Sequence, residues 1–241
     1  MAQMKKCYFV SDLHLFANRS EAHRYLEEIA KKASRADLFV LGGDTFDFHW
    51  STFPILKAVD RACRWLRQLA ALCPNCHFHV VLGNHDYHQA FIDRLTELDR
   101  EVSNLSWHRY YVRIGTSVFL HGDVAQRRMT ARRLTESREK WLDCRRRGPW
   151  ASLLYDVAVA TRMHKPVPHL LFARRIVARR IFRYLESIGQ GPAAGVRDVY
   201  FGHTHKRLSN YAYHGMRFHN GGAPIKGLKF RIVEARRSRP S

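Results

Sequence analysis

At 241 residues with 46% hydrophobic content, the chain can bury a full core and is too apolar to be disordered. Five scattered Cys, no apolar leader and no run near the ~20 apolar residues of a membrane span exclude a disulfide scaffold and a spanning protein. The formal charge of +20 points to an anionic partner, and we expect a cytoplasmic protein.

In chain order, Lys6 to Ser11 reads as a short buried strand and Glu21 to Ala33 as a helix with Leu26, Ile29 and Ala30 on one face. Asp37 to Leu41 is a second strand, Ile55 to Leu72 a helix, and His77 to Leu82 a third strand. Strands separated by helices predict a mainly parallel sheet. Cys73-Pro74-Asn75-Cys76 between them reads as a turn rather than a zinc or redox pair. Tyr110 to Leu120 holds two short strands around Gly115. Gln126 to Cys144, Ala151 to Met163 and Leu170 to Ile188 then look helical, the last with an apolar stripe of Leu171, Phe172, Ile176, Val177, Ile181 and Phe182. Asp198 to Phe201 is a late strand, followed by short strands with turns at His214-Gly215 and Gly221-Gly222. The expectation is one α/β domain over residues 1–241 with a helical insertion at about 124–190. From Val124 to Leu185 there are 16 Lys or Arg against four Asp or Glu, so that insertion is strongly basic.

Each strand expected at one edge of the sheet ends in ionisable residues. These are Asp12-Leu13-His14, Gly43-Asp44-Thr45-Phe46-Asp47, Gly83-Asn84-His85-Asp86, His121-Gly122-Asp123 and Gly202-His203-Thr204-His205. In open α/β sheets, ligands lie outside the carboxyl ends of the strands, so these distant segments converge on one site. Any single fragment reads equally well as a cap or a turn; five in order, each after an apolar strand, read as a metal site. Imidazole and carboxylate without thiolate suit manganese, iron, zinc or magnesium. Alternation along an extended chain would aim Asp12 and His14 the same way, and His203 and His205 likewise. His49, His88 and His219 lie near the motifs and read as packing or surface residues.

These five motifs resemble those of calcineurin-like metallophosphoesterases, over nearly the whole chain. The resemblance implies a four-layer αββα sandwich of two mixed sheets and a pair of divalent ions, manganese first. By position, Asp12, His14, Asp44 and His205 would hold one ion and Asp44, Asn84, His121 and His203 the other. His85 would stand beside the phosphate as the catalytic side chain, with Asp86 orienting it and Asp123 as a further outer partner. Such a centre hydrolyses phosphoesters by activating water and neutralising phosphoryl charge.

Length and spacing most resemble bacterial UDP-2,3-diacylglucosamine pyrophosphohydrolases of lipid A synthesis, with 82 residues between His121 and His203. That resemblance implies a nucleotide–lipid substrate, a basic lid and docking on an anionic leaflet, with Arg174, Arg175, Arg179 and Arg180 as substrate-binding candidates. The chain departs from it at His85, where other members carry Arg, and in the loop from Thr45 to Ser51, which lacks their acidic pattern. The alternatives are a phosphodiesterase acting on a nucleotide, nucleic acid or phosphoprotein, and a non-catalytic metal-binding scaffold.

Overall fold

The computed structural model describes residues 6–143 and 173–235. Strands β1 (Cys7–Val10), β2 (Leu38–Gly42), β3 (His77–Val81) and β4 (Leu105–His108) run parallel, and β10 (Val233–Ala235) adds antiparallel to β1. The second sheet has the order β5-β6-β7-β9-β8, from β5 (Tyr111–Ile114), β6 (Ser117–Leu120), β7 (Asp198–Phe201), β9 (Met216–Asn220) and β8 (Leu208–Tyr213). Here β6, β7 and β9 are mutually parallel, and the outer strands β5 and β8 are antiparallel to their neighbours.

The period of two along each strand divides its side chains between layers. In β1, Tyr8 and Val10 join a core with helices α1 (Leu26–Ala33), α2 (Ile55–Leu72) and α3 (Gln89–Glu101), which contribute Ile29, Leu66 and Phe91 among others. Cys7 and Phe9 face the other way, with Val40 and Val81, against Val112, Phe119 and Tyr200 of the second sheet. Phe119 stacks on Tyr200 at 4.8 Å, and Phe9 lies 5.8 Å from Phe119. The outer face of the second sheet packs Val118, Val199 and Phe218 against Val177 and Ile181 of α5 (Arg174–Ser187). Helices, sheet, sheet and helix make the four layers.

Two elements have no counterpart in the sequence reading, α3 and the edge strand β4. Of the insertion, α4 spans Ala131–Glu139, shorter than the expected Gln126 to Cys144, because the Thr130 hydroxyl accepts the Arg133 N–H and starts the helix there. The stripe on α5 starts at Ile176; Leu171 and Phe172, like the helix expected over Ala151 to Met163, lie outside the described residues. No helix among the described residues is long and apolar enough to cross a membrane.

Candidate metal centre

All five ligand-bearing segments leave their strands at the same edge of the sandwich. Asp12 donates its N–H to the Gly43 carbonyl (3.0 Å), and Gly202 donates to His121 O (2.7 Å). Extended alternation does not aim the side chains, contrary to the sequence reading. Asp12, His14, Asp44, His203 and His205 have φ between 46° and 61°, the left-handed region that side chains other than Gly rarely adopt. Left-handed turns curl the backbone so that carboxylates and imidazoles meet. Gly83 and Gly202 allow the approach, since a Cβ there would collide with the carboxylates of Asp44 and Asp12.

The side chains form two groups. In one, His14 Nε2 lies 3.2 Å from His205 Nε2, and His205 Nε2 lies 3.5 Å from Asp12 Oδ1. In the other, His121 Nε2 lies 3.1 Å from His203 Nδ1, 3.2 Å from Asn84 Oδ1 and 3.4 Å from Asp44 Oδ2. Asp44 joins them: its Oδ1 accepts the His85 N–H at 2.8 Å, while Oδ2 faces His121 and lies 3.9 Å from His14 Nε2. His203 and His205 thus serve different groups, although two residues apart. Electron-pair donors crowded this closely have too few protons to satisfy one another, and a divalent cation in each group supplies the missing positive charge. The donor set fits two such ions.

Without ions the groups titrate far apart. Burial, then the Arg19 charge, lowers His14 to about 4, and burial with His121 lowers His203 to about 4. Burial opposes protonation of His121 too, but Asp44 outweighs it and raises His121 to about 9. His85 also rises, because Asp47 and Asp44 outweigh its burial.

The family profile of calcineurin-like phosphoesterases matches residues 5–207. The chain belongs to this family. No curated protein matches by sequence. Among solved structures, a dimetal phosphatase from Danio rerio aligns at 13% identity with a TM-score of 0.48, over 92% of this chain and 88% of that one. A second crystal structure aligns at 13% identity with a TM-score of 0.50, over 95% and 98%, a likeness of fold.

In this calcineurin-like phosphoesterase, a metal-dependent hydrolase, the residue that the sequence reading left without a role is Asp47. Its Oδ2 accepts from Arg19 Nη2 at 2.8 Å and meets His14 Nδ1 at 3.2 Å, while its Oδ1 meets His85 Nδ1 at 3.0 Å and accepts the Trp50 N–H. It fixes Nδ1 as the protonated nitrogen of His14 and leaves Nε2 to the metal group, the usual carboxylate–histidine arrangement around metals. The spacing Asp44-x-x-Asp47 was the available signal.

Two expected partners go elsewhere. Asp86 does not orient His85; its carboxylate accepts the N–H groups of Gly83 (2.6 Å) and Thr45 (2.8 Å), clamping the turns after β2 and β3 together. Asp123 pairs with the buried guanidinium of Arg138, which also donates to the carbonyls of Leu82 and Gly83. His88 caps α3 by accepting the Ala90 N–H, His219 binds Asp198, and His49 packs on Trp141.

Of the insertion arginines, Arg180 donates to the carbonyls of Ala125 and Gln126, both at 2.7 Å, and so anchors α5 instead of awaiting substrate. Arg175 and Arg179 are exposed, and Arg174 lines a cavity beside the site.

Proposed function

We propose that this chain hydrolyses the pyrophosphate of a nucleotide–lipid resembling UDP-2,3-diacylglucosamine, at two divalent ions, manganese first, bridged by Asp44. The carrying observation is the division of labour in Asp44: one oxygen is fixed by the His85 N–H and the other faces both ligand groups. Asp12, His14 and His205 complete one site, and Asn84, His121 and His203 the other. The bound ions supply Lewis-acid charge and a nucleophile near neutral pH.

His85 is the side chain placed to meet the phosphoryl group. Asp47 holds its Nδ1, so Nε2 is the nitrogen left for a phosphoryl or leaving-group oxygen. With its pKa raised by Asp47 and Asp44, the ring keeps its proton to higher pH and can donate a charged hydrogen bond there. Trp141, its ring 5.4 Å away, covers one face.

The lipid assignment is supported by the motif interval of 82 residues and the dense positive charge of the insertion. The same charge suits an anionic leaflet. Hydrolysis of UDP-2,3-diacylglucosamine with added manganese, against bis-p-nitrophenyl phosphate and an oligonucleotide, tests the reading. UMP and lipid monophosphate should appear, fastest among the three substrates. Cleavage of the oligonucleotide alone would move the assignment to nucleic acid, and no hydrolysis at all would leave the non-catalytic scaffold.

A further inference from the structure

Next to the loop that carries His203 and His205 lies a cavity of about 370 Å³. Arg174 from the start of α5, Arg207, and Lys229 and Arg231 from the last loop line it, with Ser209 and Tyr211. A smaller pocket shares Arg174 and Arg207 with it and reaches Thr204 and Lys206, on either side of His205. No carboxylate lines either one, and among the described residues none of the four cations of the larger cavity forms an ion pair.

A merely solvated basic surface would turn each cation outward into water. Here Arg231 is half-buried, and its Nε is enclosed without a hydrogen-bond partner. Burial, then the nearby charge of Arg207, lowers its pKa below the usual arginine value. The stem of Arg207 is also fixed: it lies against Gly222, where an added Cβ would meet Arg207 Cγ at 2.8 Å and collide with the Lys229 carbonyl. Gly222 has φ of 81° and bridges to Phe230, and Arg231 donates its N–H to Gly221 O at 3.0 Å. The backbone therefore holds like charges together against their repulsion. An anion relieves that repulsion and fills the guanidinium forks, and phosphate oxygens match both Arg and hydroxyl donors.

We propose that this cavity binds a non-scissile phosphate of the substrate while the bond to be cleaved lies at the metal groups. The substrate class is then a compound with two phosphoryl groups, one reacting and one recognised. The inference rests on the dimetal reading of the site but not on the lipid.

The test compares thymidine 5′-(p-nitrophenyl phosphate) with the same ester carrying a 3′-phosphate. In the unaltered protein kcat/KM should favour the 3′-phosphorylated ester by about tenfold or more, the worth of one charge-assisted hydrogen bond. Arg231→Gln should bring the ratio near one, and Gly222→Ala, which displaces Arg207, should lower it too. Because the ratio is taken within each protein, partial unfolding lowers both rates and leaves it unchanged. A ratio near one in the unaltered protein, or one that survives Arg231→Gln, overturns the proposal. If neither ester is hydrolysed, the dimetal reading fails instead. Calorimetry of pyrophosphate binding to Asp44→Asn protein then decides about the cavity: weakening of about tenfold by the added Arg231→Gln supports it, and absent or unaffected binding overturns it.

Discussion

The side chains of the site differ in what their loss should do. Asp44→Asn keeps the shape but removes the charge facing both groups, so both ions should be lost or weakened. Metal content by elemental analysis should fall, and turnover should drop by more than the roughly 10 to 100-fold cost of losing an outer ligand partner. Asp47→Asn is such an outer change: about 10 to 100-fold weaker metal binding is expected, because His14 loses the group that orients it. His85→Ala should leave metal content intact while slowing turnover by about 10²- to 10⁴-fold; equal rates would remove it from the reaction. The residues able to bind metal were legible because each follows an apolar strand. Arg19 and Arg138 were not, since a lone arginine in a sequence with 41 Lys and Arg carries no mark of burial.

Among the elements, α1, α2 and β1 to β3 were legible from periodicity and breaks, whereas α3 and β4 were overlooked. Helix α3 does carry a stripe, Phe91, Ile92, Leu95 and Leu98, but it begins without Ser, Thr, Asp or Asn as cap. The ring of His88 does that work, a role sequence does not advertise. Strand β4 is a four-residue edge strand, only partly buried, with little alternation to detect.

Helix α4 is tied to the end of β3 by Arg138, so the pair Arg138–Asp123 links an insertion helix to the ligand loops. Arg138→Met leaves Asp123 charged and unpaired in the interior, which typically costs about 3–5 kcal/mol and should lower Tm by on the order of 10 °C. Adding Asp123→Asn should recover part of the loss; no recovery would mean that the lost carbonyl contacts dominate. The second sheet has its own pair, because Asp198 on β7 faces Arg217 and His219 on β9. Burial raises the Asp198 pKa, but these partners outweigh it and hold the carboxyl below its usual range. Its stabilisation is therefore complete above the unfolded carboxylate pKa of about 3.9 and is lost as pH falls through the lower folded value. Asp198→Asn should flatten the fall in Tm between about pH 5 and 2; an unchanged slope would place the acid sensitivity elsewhere.

Across the whole molecule, the site is where the two sheets are least able to hold each other by apolar packing. Asp12, His14, Asp44 and Asn84 belong to the first sheet, and His121, His203 and His205 to the second. Below them Phe9, Phe119 and Tyr200 seal the layer, but at the ligand edge the facing groups are carboxylates and imidazoles. Five residues there carry left-handed backbone, at roughly 1–2 kcal/mol each. Ions that bind only the folded pairing must offset this, and each contributes about 2.7 kcal/mol at a hundred times its Kd. For a chain of this size that amounts to a rise in Tm of roughly 10 °C or more for two sites. Thermal unfolding with manganese and with chelator should differ by about that much. Asp44→Asn should abolish most of the response, while Arg231→Gln, outside the ligand groups, should keep it. Equal Tm with manganese and with chelator would mean that the strained edge is stabilised by the protein alone, and that the two groups do not bind ions strongly enough to join the sheets.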